Sequence, residues 1–245
     1  MRLHRFYVGA DNNSSSLKVV KEYFVFSQSH IHQWRNVFRF GVGDEIIIFD
    51  GVDTSQYKAR FITLTKNSAV LEIFEKLVLV AKPVQEIFLY TALIKRERFE
   101  WMVEKATEIG VSHFCPIFSD RTEIKDIKTE RIRKIIIEAT EQAGWCHLPL
   151  FSAPMALAAA LENARNSVVC DVGESFFSIE KSVGSSKSTS IFIGPEGGWS
   201  PAEKELFRKK KIPTVSLGKQ TLRSETAAIV AATLTLLALP LQERR

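Results

Sequence analysis

The chain has 245 residues, of which 45 % are hydrophobic and 25 % charged, which excludes a disordered or fibrous protein and leaves room for two domains. Its formal net charge of +5 is compatible with a polyanionic partner without demanding one, and three cysteines with no C-x-x-C spacing argue against a disulfide framework. The opening MRLHRFYVGADNN has no apolar signal core, and the late run AAIVAATLTLLALP is too short to span a bilayer, so a soluble cytoplasmic protein with no membrane partner is expected.

In chain order, RLHRFYV, EIIIFDG, YKARFITL and AVLEIF read as compact strands separated by turn residues, the pattern of a small barrel. One helix interrupts them at HIHQWRNVFRF, with Ile31, Trp34, Val37 and Phe38 on one face, before Gly41-Val42-Gly43-Asp44 turns the chain back. Beyond Pro83 buried strands alternate with amphipathic helices. IFLYTALI is a strand, and FEWMVEKATEIG a helix stopping at Gly110. HFCPIF is a strand, and ERIRKIIIEATEQAG a helix stopping at Gly144. VVCDV, SIFIG and TVSLG are further strands, SVGSSKSTS is a serine-rich loop, and a last helix starts near Ser224 with Ser224 as its candidate cap. This alternation predicts a mostly parallel sheet covered by helices, and periodicity alone gives an ordinary doubly wound one.

Two stretches carry the candidate chemistry. In IFIGPEGGWSPAEKELF a buried strand end meets Gly194, Gly197 and Gly198, which permit positive φ and close backbone approach to a ligand. Ser200, Pro201 and Glu203 then give an N-cap, a first-turn proline and a capping-box glutamate, so a helix start terminates the loop rigidly. Ligands of open α/β sheets bind at such strand ends. The segment is neither a P-loop nor a G-x-G-x-x-G fingerprint, which points away from phosphate cradling. In LGKQTLRSETAAIVAATL a second strand-end glycine, Gly218, precedes Arg223 and Glu225 at the start of a helix rich in small residues suited to close packing. The five histidines show no ligand spacing, so no metal is expected, and no Ser-His-Asp signature appears.

Residues 193–203 and 217–227, in that order, resemble the RsmE-type 16S rRNA uracil-N3 methyltransferases of the SPOUT class, whose motifs read I-G-P-E-G-G-[FW]-[ST]-x-x-E and L-G-x-x-x-L-R-x-E-T-A. RLHRFYV, HIHQWRNVFRFGVGDEIIIFDG, WMVEKATEIGV and Ser119-Asp120-Arg121-Thr122 extend the resemblance over essentially the whole length. It implies a PUA-like β-barrel RNA-binding domain at 1–75 and a trefoil-knotted SPOUT α/β domain at 76–245. It also implies a homodimer formed through the second domain, S-adenosylmethionine as methyl donor, and N3 of a uridine in 16S rRNA of the small ribosomal subunit as the target. Rival readings are a SPOUT enzyme acting on a ribose hydroxyl or on tRNA, and an RNA-binding homologue without catalysis.

Carried onto this chain, the resemblance places the cofactor against Leu93, Ile193, Gly194, Glu196, Gly197, Gly198, Leu217, Gly218, Leu222 and Thr226. Glu196 is read as binding a ribose hydroxyl or capping nearby amides. Uracil N3 bears a proton and is a poor nucleophile until it is lost, so the site must favour the anionic base. Arg223 is assigned to that anion or an adjacent phosphate, and Glu225 to positioning; the general base is not legible. Arg2, Arg5, Arg35, Arg39, Lys95, Arg96, Arg121 and Gln142 form the expected RNA track. The family usually has Gln-x-Gly-Arg after its second long helix, whereas Gln142-Ala143-Gly144 here precedes Trp145, which replaces an expected cation.

Overall fold

The computed structural model describes residues 3–9, 17, 21–51, 55–77, 85–124, 126–172, 179, 182 and 186–238. Arg2 and residues 183–185 of the serine-rich loop therefore lie outside the described residues. The chain divides into two units, Met1–Lys82 with Thr140–Leu148, and Pro83–Ala139 with Pro149–Arg245. The division at 82/83 falls later than the expected 75/76, which would cut a strand that runs to Leu77.

In the first unit, alternating apolar residues form a five-stranded mixed sheet ordered β1-β3-β4-β5-β2. Its strands are β1 (Arg5–Tyr7), β2 (Glu22–Val25), β3 (Glu45–Phe49), β4 (Gln56–Leu64) and β5 (Ala69–Leu77). β1 pairs parallel to β3 and the other pairs are antiparallel. The inward side chains of every strand converge with Trp34 on one core that includes Phe6, Tyr23, Ile46, Ile48, Phe61 and Leu71. Phe6 and Phe61 both meet the Trp34 ring edge-on, at 5.6 and 5.2 Å.

The expected helix around Trp34 is α1 (Gln28–His32) followed by a π-helical turn (Gln33–Val37). There the Phe38 amide reaches back to Gln33, five residues rather than four. The wider turn rotates the following residues, so Ile31 and Trp34 are buried as expected while Val37 is 63 % exposed. Gly144, in the segment that joins this unit, accepts from Gln56 Nε2 at 3.0 Å, and the half-buried Trp145 meets the His147 ring edge-on.

The second unit holds a parallel sheet, β12-β10-β11-β6-β7-β8, with β9 also paired to β7. Its strands are β6 (Glu86–Ala92), β7 (His113–Phe118), β8 (Leu150–Phe151), β9 (Met155–Ala156), β10 (Ser167–Cys170), β11 (Ser188–Ile193) and β12 (Thr214–Val215). The helices are α2 (Arg96–Ile109), α3 (Thr129–Ala143), α4 (Leu157–Asn163), α5 (Pro201–Lys209) and α6 (Ser224–Leu237). β8, β9 and α4 have no counterpart in the sequence reading. β11 starts at Ser188, so Ser188–Ser190 belong to the strand rather than to the serine-rich loop. Gly110 stops α2 in the left-handed conformation, as its position predicts. Among the described residues no helix is long and apolar enough to cross a membrane.

The path of the chain positions the site. From the central strand β11 it passes through α5 to β12 at the sheet edge, then returns through residues 216–223 to start α6, which packs against β11, β6 and α2. The ends of β11 and β12 are thereby both presented to the start of α6.

Candidate functional site

The first loop is built around one aromatic ring. A Cβ on Gly194 would lie 3.1 Å from the Trp199 indole, so any other residue there would require the buried ring to shift. Trp199 is buried, donates Nε1–H to the Cys170 carbonyl at 3.0 Å and packs edge-on to Phe207. This fastens the loop to the end of the neighbouring strand β10. Gly198 closes the turn at φ +67°, its amide donating to the Pro195 carbonyl at 2.9 Å.

The predicted capping box is present at α5. The Glu203 amide donates to Ser200 Oγ at 3.2 Å, and the Ser200 amide to Glu203 Oε2 at 2.7 Å. The other Glu203 oxygen accepts the Asp120 amide at 3.0 Å, and the Ser200 hydroxyl donates to the Asp120 carboxylate. A glutamate only 5 % exposed is thus fully occupied. Arg121 of the same segment donates to the Gly197 carbonyl at 2.5 Å, a loop contact at a position read as facing RNA.

The second loop begins where β12 stops. TVSLG was expected as one strand, yet only Thr214 and Val215 pair, and residues 216–218 turn away from the sheet. Ser216 Oγ donates to the Gly218 carbonyl at 3.0 Å, and Gly218 takes φ +140°. Ser224 does not cap α6, because its hydroxyl donates instead to the Gly194 carbonyl at 2.8 Å and ties the two loops together. Arg223 occupies the N-cap position with extended backbone and an exposed side chain that makes no hydrogen bond or ion pair among the described residues.

Between the loops lies an open cleft of about 550 Å³. Of the residues expected at the cofactor, Ile193, Gly194, Gly198, Leu217, Gly218 and Leu222 line it. The ends of β10 and β12 add Cys170, Asp171 and Ser216, and the walls also include Trp199, Gln220, Ser224 and Ala227. Leu93 lines a different cavity, with Ile94, Phe99 and Ile132. Thr226 is half-buried in the first turn of α6, and Glu196 and Gly197 sit on the exposed outer side of the first loop. A Cβ on Gly198 or Gly218 would meet no atom within 4 Å, so at these two glycines the backbone faces open space.

Glu196 and Glu225 are joined by a residue that the sequence did not single out. Arg98 in the first turn of α2 donates Nη1–H to Glu196 Oε1 at 3.0 Å, and its Nε lies 3.7 Å from Glu225 Oε1. Glu225 is 7 % exposed and its Oε2 is buried without a hydrogen-bond partner. No local signal marks Arg98, since a first-turn arginine reads the same whether solvated or paired. Trp199 and Asp171 were legible as the residues flanking glycine or strand ends, but not as parts of the walls.

The remaining expected RNA residues are spread over both units. Arg5 Nε donates to Gln56 Oε1 at 3.4 Å, Arg35 is half-buried, and Arg39 is exposed at φ +58°. Lys95 is exposed beside α2, Arg96 pairs with Glu100 at 2.8 Å, and Gln142 is exposed.

Titration at the cleft is set by burial. Burial first, then the neighbouring Asp171 charge, push the Cys170 thiol up to about 12, so it stays protonated at neutral pH. Asp171 itself pairs with Lys204 at 2.6 Å. Behind the cleft Tyr90 is likewise raised to about 12, chiefly by burial and then by Cys115. Among the described residues no group of three or more His, Cys, Asp or Glu is placed to hold a metal ion.

A family model described as RNA methyltransferase domain matches residues 81–236. The ribosomal RNA small subunit methyltransferase E of Rickettsia conorii is 29 % identical over 94 % of both chains, and that of Mesomycoplasma hyopneumoniae is 32 % identical over 73 % of this chain and 81 % of its own. Among solved structures, a ribosomal RNA small subunit methyltransferase E from Neisseria gonorrhoeae, bound to S-adenosyl methionine, superposes with a TM-score of 0.83 at 25 % identity, covering 94 % of this chain and 95 % of its own. A Legionella pneumophila putative methyltransferase with bound SAM shares the fold at TM-score 0.84. The second unit is thus a SPOUT-type trefoil-knotted α/β domain preceded by a small PUA-like, barrel-type domain, rather than the doubly wound sheet that periodicity alone gives. With a match to the domain model over more than half of its length and to relatives over 73 to 94 % of it, the chain belongs to the ribosomal RNA small subunit methyltransferase E family of RNA methyltransferases.

Proposed function

We propose that the protein methylates N3 of a uridine in 16S rRNA of the small ribosomal subunit, with S-adenosylmethionine as donor. The observation that carries this reading is the convergence of two glycine loops on one cleft, with Gly198 and Gly218 facing open space at positive φ. Ile193, Leu217 and Leu222 offer apolar surface to an adenine, and the exposed backbone at Gly198 and Gly218 offers polar groups for orientation. The lining residues present no cluster of cations that a phosphate would need.

S-adenosylmethionine supplies a methyl group on a sulfonium, ready for an in-line nucleophile without a metal. The protein's part is to hold that nucleophile in place and to stabilise it. Arg223, exposed beside the wall residues Leu222 and Ser224 with its guanidinium unpaired among the described residues, is suited to stabilise the uracil anion left when N3 loses its proton. Phosphate contacts from Arg5, Arg35, Arg39, Lys95 and Gln142 would seat the RNA, so binding of a ribosomal RNA fragment weakens with added salt. A homodimer through the second unit is supported by the apolar surface left on its helices, with Trp101 45 % and Leu237 50 % exposed.

The test is methylation of small ribosomal subunits with S-adenosylmethionine, read by nucleoside mass analysis. N3-methyluridine from small-subunit RNA is the expected product. Label on a ribose hydroxyl, or on transfer RNA alone, would overturn the target assignment.

A further inference from the structure

We infer that Arg98 is a positioning residue for the cofactor cleft: one guanidinium clasps the carboxylate of Glu196 from the first loop and that of Glu225 from the first turn of α6, and so sets the spacing between them. The inference rests on the cofactor reading above and names a residue outside the two motifs that define it.

Three observations converge. Arg98 reaches both the first loop and the start of α6, at 3.0 Å to Glu196 Oε1 and 3.7 Å to Glu225 Oε1. The Glu225 side chain is 9 % exposed and its Oε2 has no hydrogen-bond partner, so Arg98 is its counter-charge among the described residues. Arg98 is also anchored on a rigid element, because its amide donates to the Lys95 carbonyl at 3.0 Å in the first turn of α2, and α2 packs against α6.

Charge and geometry make this more than a surface pair. Arg98 and Glu196 are 36 % and 41 % exposed, and a pair so placed contributes little alone. Glu225 is different, because a buried carboxylate stripped of its partner is strongly disfavoured. The buried Glu225 carboxylate therefore holds the guanidinium, and the guanidinium holds the exposed Glu196, and with it the glycine turn. An arginine can serve two carboxylates at once through separate N–H groups, whereas a lysine ammonium is a single point charge. The clasp holds the first loop at Glu196 while Ser224 ties it at Gly194, so the loop is held at two points.

The experiment measures S-adenosylmethionine affinity by calorimetry and amide hydrogen exchange in the unliganded full chain, for wild type, Glu196→Gln, Arg98→Ala, Arg98→Lys and the double variant Arg98→Ala with Glu196→Gln. Glu196→Gln alters an exposed group and leaves folding intact. It should weaken binding severalfold and speed exchange in residues 194–198. Arg98→Ala should weaken binding roughly tenfold and speed exchange in both loops. The double variant should bind no more weakly than Arg98→Ala, and Arg98→Lys should recover part of the loss. Wild-type affinity in both Glu196→Gln and Arg98→Ala, fully additive losses, or exchange that rises uniformly over the second unit would each overturn the clasp. Should the wild type itself fail to bind S-adenosylmethionine, the cofactor reading falls, while loop exchange still decides the clasp.

Discussion

Gly194, Gly198 and Gly218 carry the same residue type for different reasons. Gly194 is glycine because the Trp199 ring fills the space a side chain would take, and Gly218 because its φ of +140° is one that L side chains rarely adopt. Gly218→Ala should cost about 1–3 kcal/mol of backbone strain and put a methyl group into the open cleft. Its binding of S-adenosylmethionine by calorimetry should fall further than its melting temperature indicates; unchanged affinity would remove Gly218 from the site. Arg223→Ala has the opposite signature. The side chain is exposed and makes no hydrogen bond or ion pair among the described residues, so cofactor binding and stability should persist while methyl transfer is lost. Normal activity in that variant would sink the catalytic assignment. The glycines and Arg223 are legible in the sequence because each stands next to a local signal, a strand end or a helix start. Arg98 is not, because its meaning lies in two carboxylates far along the chain.

At the scale of elements, α5 shows how much a short motif can encode. Ser-Pro-x-Glu predicts a capped helix start, and the structure adds that the same Ser200 and Glu203 also hold the Asp120 segment. Ser200→Ala should therefore destabilise the protein by about 1–2 kcal/mol, the upper range for a lost cap, measurable by chemical denaturation. A change within a few tenths of a kcal/mol would mean that the cap is dispensable. Elements of two residues, such as β8, β9 and β12, carry no periodicity, so the sequence could neither find the first two nor limit the third. The π-helical turn after α1 was hidden likewise, since apolar residues at helical spacing look the same until the turn widens.

For the whole molecule, the buried thiol and phenol set a limit on the alkaline side. Cys170 is raised from 9.0 and Tyr90 from 10.0, each to about 12. The folded chain keeps these protons at pH values where the unfolded chain loses them. Their contribution is therefore intact below about pH 9 and disappears progressively as the pH climbs toward 12. Melting temperatures measured between pH 8 and 11 should decline across that range by about several degrees, and a flat profile would contradict the burial of these groups. The order of strands and helices in the second unit was readable from periodicity. Their path was not, because alternation records which elements follow one another and says nothing of where the chain crosses back from β12 to the centre.

That crossing back has a consequence in time. The two walls of the cleft are separated along the chain by α5 and β12, so one leaves the ribosome before the other. At about 5–20 residues per second, the interval is on the order of a few seconds. Throughout it the nascent protein displays the first glycine loop with nothing opposite, and neither Ser224 nor Glu225 exists to fasten it. An rRNA methyltransferase built in this order is inert while its own synthesis is under way, and gains its site only as the final helix docks.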